Sequence, residues 1–268
     1  MTAPWQAVVA DRPGWPAGSA KVLDAVEMAR AALARLNGPR GVRDRTGRVA
    51  AAALMRGARA SAALAGAPLG LGAAGASIDD PVLAGAVRAA AALDAMVATW
   101  RRAPRQVLAR LHTLAAADLV GRDQLGRPRV DPAHPGLVGA RLANLADLVV
   151  RSPWPAPVMV AIVHGELAAA EPFGSADGVV ARAAARLTMV ATGLDPAGWS
   201  VPEVAHLRSP DRYRSGLAGY AQGGEGVDAW VIQVCEALDR GAAEGAGVDR
   251  ASTAESARPL MDFPDRTQ

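Results

Sequence analysis

Residues 171–182 run Glu-Pro-Phe-Gly-Ser-Ala-Asp-Gly-Val-Val-Ala-Arg and open into an Ala-rich stretch with helical spacing. A glycine-punctuated turn leading straight into a helix gathers the unpaired N–H groups of the first helical turn around one point. That point also lies at the positive end of the helix dipole, so the segment has the geometry of an anion cradle. Helices are predicted on both sides, over 155–170 and 176–193. The turn therefore lies between two buried elements.

Working outward, most of the chain carries helical periodicity. Residues 20–36 place Val22, Leu23, Val26, Ala29, Leu33 and Leu36 on one face, with Asn37-Gly38 as a stop. An Ala-rich helix is predicted over 46–66, ending at Gly66. Asp79-Asp80-Pro81 starts a helix that runs to Arg102. Pro104 opens the next, which carries Val107, Leu108, Leu111, Leu114 and Leu119. The polar segment 121–136, with its Gly, Pro and Asp, predicts a loop with at most a short β-hairpin. Further helices are predicted over 137–151, 200–207, 210–222 and 226–245, and the polar tail after Ala246 is expected to be disordered. The fold class is all-α.

Composition agrees. Of 268 residues 51% are hydrophobic and only 4% aromatic, so small apolar side chains make the core, which favours close-packed helices over a β-sandwich. Basic and acidic residues nearly cancel, 29 against 26, and Lys21 is the only lysine. No dense basic run marks a nucleic-acid face. Cys235 is alone, which excludes an internal disulfide framework or a cysteine metal cluster and makes an inert core residue the expectation. The N-terminus lacks a signal-peptide pattern and no apolar stretch is long enough to span a bilayer, so a cytoplasmic protein is expected.

Gly70-Leu71-Gly72-Ala73-Ala74-Gly75 matches the dinucleotide pattern G-x-G-x-x-G. That pattern works only between a strand and a helix. Here an Ala-rich helix precedes it, and a flexible interhelical loop is expected instead.

Residues 161–187 resemble the signature of the Fic (Fido) family, which transfers AMP or a related phosphate-bearing group onto protein hydroxyls. The family signature is His-Pro-Phe-x-Asp/Glu-Gly-Asn-Gly-Arg-x-x-Arg, often with a further His seven residues upstream. Pro172, Phe173, Gly178 and Arg182 match in register, and His164 stands at the upstream position. The resemblance implies a phosphate or nucleotide loop made of Phe173, Gly174, Ser175, Ala176, Asp177, Gly178 and Arg182. It spans roughly residues 50–240. The chain then divides into an N-terminal helical extension (1–49), a Fic-like helical core (50–246) and a disordered tail (247–268). Leu111-His112 matches a helical Leu-His pair of that family, placed before a flap that aligns the target peptide. Tyr213, Leu217 and Trp230-Val231 fit the C-terminal part of its core.

The departures fall on the chemistry. Glu171 stands at the general-base position, where His, with a pKa near 6.5, takes a proton more readily than Glu, near 4.3. Ser175 replaces the metal-binding acid, and a neutral hydroxyl is no substitute for a carboxylate toward Mg²⁺. Ala176 replaces a glycine. Asp177 replaces an asparagine and puts negative charge where phosphate would bind. Val179 removes the first arginine and its bidentate phosphate contacts. Upstream, Ser61-Ala62-Ala63-Leu64-Ala65-Gly66 resembles the inhibitory motif Ser/Thr-x-x-x-Glu-Gly/Asn of some family members, with Ala65 in place of the Glu that pairs with the second arginine. Both the base and the brake are absent.

The expectation is a Fic-like pseudoenzyme without nucleotidyl transfer, acting as a binding or regulatory module. No catalytic residue is intact and no metal site is expected. No cofactor is expected either, with ATP and Mg²⁺ relevant only if the loop retains binding. The expected partner is a protein, a weakened nucleotide site is compatible with the sequence, and so is a homodimer through the N-terminal helices. Two alternatives stand beside it: an enzyme with altered phosphate-group chemistry through Glu171 and Asp177, and a purely structural helical scaffold. His164 is expected to be a packed or hydrogen-bonded core residue. His112, His134 and His206 are too scattered to mark a metal site. Arg182 is expected to meet either a phosphate or one of Asp177 and Glu171.

Overall fold

The computed structural model describes residues 3–11, 15–38, 42–68 and 79–256. The regular elements among them are all helices: α1 (Pro4–Asp11), α2 (Ala20–Leu36), α3 (Val42–Leu64), α4 (Pro81–Ala91), α5 (Leu93–Trp100), α6 (Pro104–Ala115), α7 (Leu137–Arg151), α8 (Ala156–Ala170), α9 (Asp177–Ala191), α10 (Pro202–Leu207), α11 (Pro210–Gln222) and α12 (Glu225–Ser256). No strand occurs among the described residues.

The centre is α8. Apart from His164 and Glu166 its sequence is apolar all round, and a helix of that kind belongs inside a domain. From Pro157 to Leu167 every residue is buried, with α9, α11, α12 and α7 packed around it. Gly165 makes the closest approach feasible: a Cβ there would lie 2.6 Å from Trp230 Nε1 and 2.8 Å from the Tyr220 ring. The Trp230 indole N–H in turn donates to Ala161 O at 2.8 Å, so this buried side chain has no orphaned polar atom. α2 lies along α12, and α3 packs on α4, α10, α12 and α9. One apolar core joins Leu33 of α2, Ile162 and Leu167 of α8, and Leu238 of α12.

Several boundaries differ from the sequence expectation. The helix predicted from Pro81 to Arg102 is two helices, α4 and α5, bent by 58° at Ala92. No Gly or Pro announces the break. The two halves bury against different neighbours, α4 against α3 and α6 and α5 chiefly against α9, and the bend lets each reach its own. α1 was not expected; burial of Trp5 and Val8 holds this short helix in place. α3 crosses the 49/50 boundary without interruption, and α12 continues past Ala246 to Ser256. Residues 257–268 and the glycine-rich segment 70–75 lie outside the described residues. The 121–136 segment is a chain of turns. No single helix among the described residues is long and apolar enough to cross a membrane.

Candidate functional site: a loop closed on itself

The loop between α8 and α9 is held in an uncommon backbone shape. Glu171 (φ 44°), Gly174 (φ 74°) and Ala176 (φ 52°) are all left-handed, and Glu171 and Ala176 are the non-glycine residues with positive φ among the described residues. Such residues cost energy and persist where the surroundings over-determine them. Here three sets of contacts do so.

The first set is internal. Asp177, the first residue of α9, turns its carboxylate back into the loop, and Oδ1 accepts the Phe173 N–H at 2.9 Å. The Gly174 N–H also bonds this carboxylate. The loop's cradle of donors is therefore filled by the chain's own anion. Burial pushes the Asp177 carboxyl up to about 6, with Glu171 adding to the rise, while the two backbone N–H groups and Arg129 oppose it.

The second set comes from α6. His112 is fully buried, and its ring stacks on Phe173 with centroids 4.3 Å apart and planes 5° from parallel. Its Nδ1 accepts the Gly126 N–H at 2.9 Å, so Nε2 carries the proton and donates to Ser175 Oγ, also at 2.9 Å. Burial lowers the His112 pKa, which keeps the ring neutral and this tautomer in place. The hydroxyl at the family's metal-acid position is thus tied to a histidine.

The third set comes from the 121–136 segment. Arg129 donates its backbone N–H to Pro172 O at 2.8 Å, Nε to Glu171 O at 2.7 Å and Nη2 to Ala170 O at 3.1 Å. A guanidinium on the last carbonyls of α8 satisfies orphan acceptors at the negative end of the helix. The Glu171 side chain itself faces solvent.

Of the partners expected for Arg182, neither carboxylate is found. It meets neither Asp177 nor Glu171 and is buried, 4% exposed, with partners from α3 and α11. Nε donates to Ser61 Oγ and Nη2 to Ser61 O, both at 2.8 Å, and Nη1 donates to the Tyr213 hydroxyl at 3.1 Å. The same hydroxyl shares a hydrogen bond with His164 Nε2 at 2.8 Å. Gly178 leaves room for the guanidinium: a Cβ there would stand 3.2 Å from Nη1. The upstream motif thus reaches Arg182 through Ser61, from the helix α3 on which it was placed. Ala65 and Gly66 form the turn that ends α3, with Gly66 at φ 96°.

His164 is a buried, hydrogen-bonded residue as expected. Its neighbourhood was not legible in the sequence. His206, Tyr213 and Trp230 pack edge-on or tilted around it, with His206 5.3 Å and Trp230 5.1 Å away between ring centroids. Burial and nearby Arg182 hold both imidazoles neutral, His206 down at about 3 and His164 well below 6.5. Beside them, Arg186 makes a two-pronged ion pair with Glu203, at 3.0 and 2.7 Å, and is fully committed to it and to the Gly198 and Ser200 carbonyls. Burial raises the Cys235 thiol to about 12, which leaves it protonated and unreactive. Among the described residues no three His, Cys, Asp or Glu side chains come together as a metal set.

No protein-family model and no curated protein matches the chain. Solved structures do. A Fic family protein from Desulfovibrio desulfuricans G20 superposes with a TM-score of 0.67 at 20% identity, over 87% of this chain and 76% of that one. Fic-1 from C. elegans superposes with a TM-score of 0.67 at 17% identity, over 91% and 81% of the two chains. A variant of Fic-1 with one substitution gives 0.70 at 17% identity, over 90% and 79%. At these identities the likeness carries the fold and leaves the chemistry to the residues themselves. The helical framework, with its central α8–loop–α9 unit, is the Fic fold.

Proposed function

We propose that this chain is a Fic-fold pseudoenzyme that transfers no nucleotidyl group and serves as a binding or regulatory module. The observation that carries this reading is that the groups a phosphate would need are already occupied. The Phe173 and Gly174 N–H groups serve Asp177, and Arg182 serves Ser61 and Tyr213. A bound triphosphate would have to displace a carboxylate, accept its repulsion and pull a saturated arginine out of the core. Glu171 at the base position is exposed and Ser175 is bonded to His112, which supports the reading that neither position serves in proton abstraction or metal binding.

The alternative of altered phosphate-group chemistry has one observation in its favour. A carboxyl at about 6, as at Asp177, suits proton transfer near neutrality. The same carboxyl is committed to the loop backbone, which weighs against it. Thermal unfolding with ATP, with and without Mg²⁺, tests the reading. A ligand at a hundredfold its Kd would add about 2.7 kcal/mol, a shift of several degrees. No shift is expected, and labelled ATP should leave no label on the protein. Label incorporation that disappears in Glu171→Ala would overturn the proposal.

A further inference from the structure

A cavity of about 650 Å³ lies outside the loop cradle, in an open groove between α6 and α7. It touches the loop at one end, through Phe173, and the 121–136 segment through Gly126 and Pro128. Its apolar lining is made by Pro104, Leu108, Leu142 and Val150 together with Phe173. Its charges are mostly of one sign. Arg102 and Arg105 stand at the α6 end and Arg151 on α7, against a single acid, Asp147, which lies 3.9 Å from Arg151. Arg102 and Arg105 are exposed and make no side-chain hydrogen bond or ion pair among the described residues. One of the exposed large apolar side chains lies in the groove. Val150, 45% exposed, lines the groove, and Val130, 72% exposed, lies two residues beyond Pro128.

We infer that this groove is a docking site for an acidic segment of a partner protein, with an apolar side chain seated between α6 and α7 and flanking carboxylates on Arg102, Arg105 and Arg151. The inference rests on the reading of the chain as a binding module and gives that module's partner a chemistry. Three considerations support a protein segment. The groove is open to solvent, so a chain segment can enter it. α6 has 12 residues and so spans ~18 Å, the length of about five extended residues. Guanidinium groups on both sides of an apolar floor match carboxylates that alternate with an apolar side chain, and arginine pairs with carboxylates two-pronged. The excess of arginine over acid also disfavours a basic partner.

Fluorescence anisotropy with a labelled peptide of about a dozen residues, alternating Glu and Leu, tests the inference on the full chain. The expected result is saturable binding that weakens as salt rises, with all-Glu and Lys/Leu peptides weaker by roughly tenfold or more. Arg102→Glu/Arg105→Glu and, separately, Val150→Asp are surface changes and should each weaken binding by a similar factor. Arg30→Glu/Arg59→Glu, the same charge change on α2 and α3, should leave it unchanged. Equal binding by the groove variants, or equal weakening by the α2/α3 control, would overturn the assignment, as would absence of binding. Displacement by decanedioate at matched concentration would make the groove a small-molecule site and also overturn it. The ATP titration is independent of all these readouts, so loss of the docking site and loss of the pseudoenzyme reading are separate results.

Discussion

Asp177 is the residue on which the loop turns. At this position the resemblance places an asparagine, whose side chain can offer an acceptor to the loop without charge. The aspartate offers the same acceptor and pays with a buried carboxylate. Its value in the folded protein, about 6, lies above the ordinary 3.8. A raised carboxyl favours the folded state most when protonated. Its contribution is therefore complete below pH 3.8 and is lost as the pH rises through about 6. Asp177→Asn keeps the oxygen that accepts from Phe173 and removes the charge. It should raise stability at pH 7–8 by about 1–2 kcal/mol and give no gain at pH 4, as read by urea unfolding at both pH values.

At the scale of elements, the 121–136 segment has no ladder of its own and is positioned through Arg129. Its turns depend on bonds to the carbonyls at the end of α8 and on the Gly126 bond to His112. Arg129→Ala keeps the backbone bond to Pro172 but strips the side-chain contacts. The expected cost is modest, about 1–2 kcal/mol, with a larger local effect. Limited proteolysis should cut within 121–136 several times faster, while α8, inside the core, keeps its protection from hydrogen exchange. An unchanged cleavage rate would mean that the turns alone hold the segment. The sequence located this segment, and its Gly/Pro/Asp content explains why. It gave no sign that Arg129 is the anchor, because the acceptors lie some forty residues further along the chain.

At the scale of the whole molecule, two imidazoles are buried neutral in one place. Their folded values lie below the ordinary 6.5, so unfolding lets them take up protons. The stabilisation they give is complete above pH 6.5 and is lost as the pH falls toward the folded values, about 3 for His206. Asp177 acts in the opposite sense with one proton, over pH 3.8 to about 6. Below pH 6 the histidines should dominate, with a limiting slope of about 2.7 kcal/mol per pH unit from the pair. Stability measured by urea unfolding between pH 5 and 7 should therefore fall with acid, and His206→Leu should remove about one proton from that slope. A flat profile in the parent protein would show that the cluster is hydrated enough to titrate in the folded state.

The sequence by itself determined most of the helices, many of their ends and the register of the 171–182 loop. These depend on local signals: apolar spacing, Asp-Pro starts, glycine stops and a contiguous motif. It also identified which loop positions depart from the Fic signature. Tertiary structure decided where the remaining polar groups point. Nothing local distinguishes an Arg182 that reaches outward for phosphate from one that turns inward to Ser61, 121 residues away in the chain. Nor does spacing reveal that Asp177 fills its own loop, that His164 and His206 meet, or that α4 and α5 bend apart at Ala92. Those outcomes are set by which packing buries the apolar faces and pairs the buried polar groups around Arg182, Asp177 and His164, and that balance exists only when distant elements are packed together.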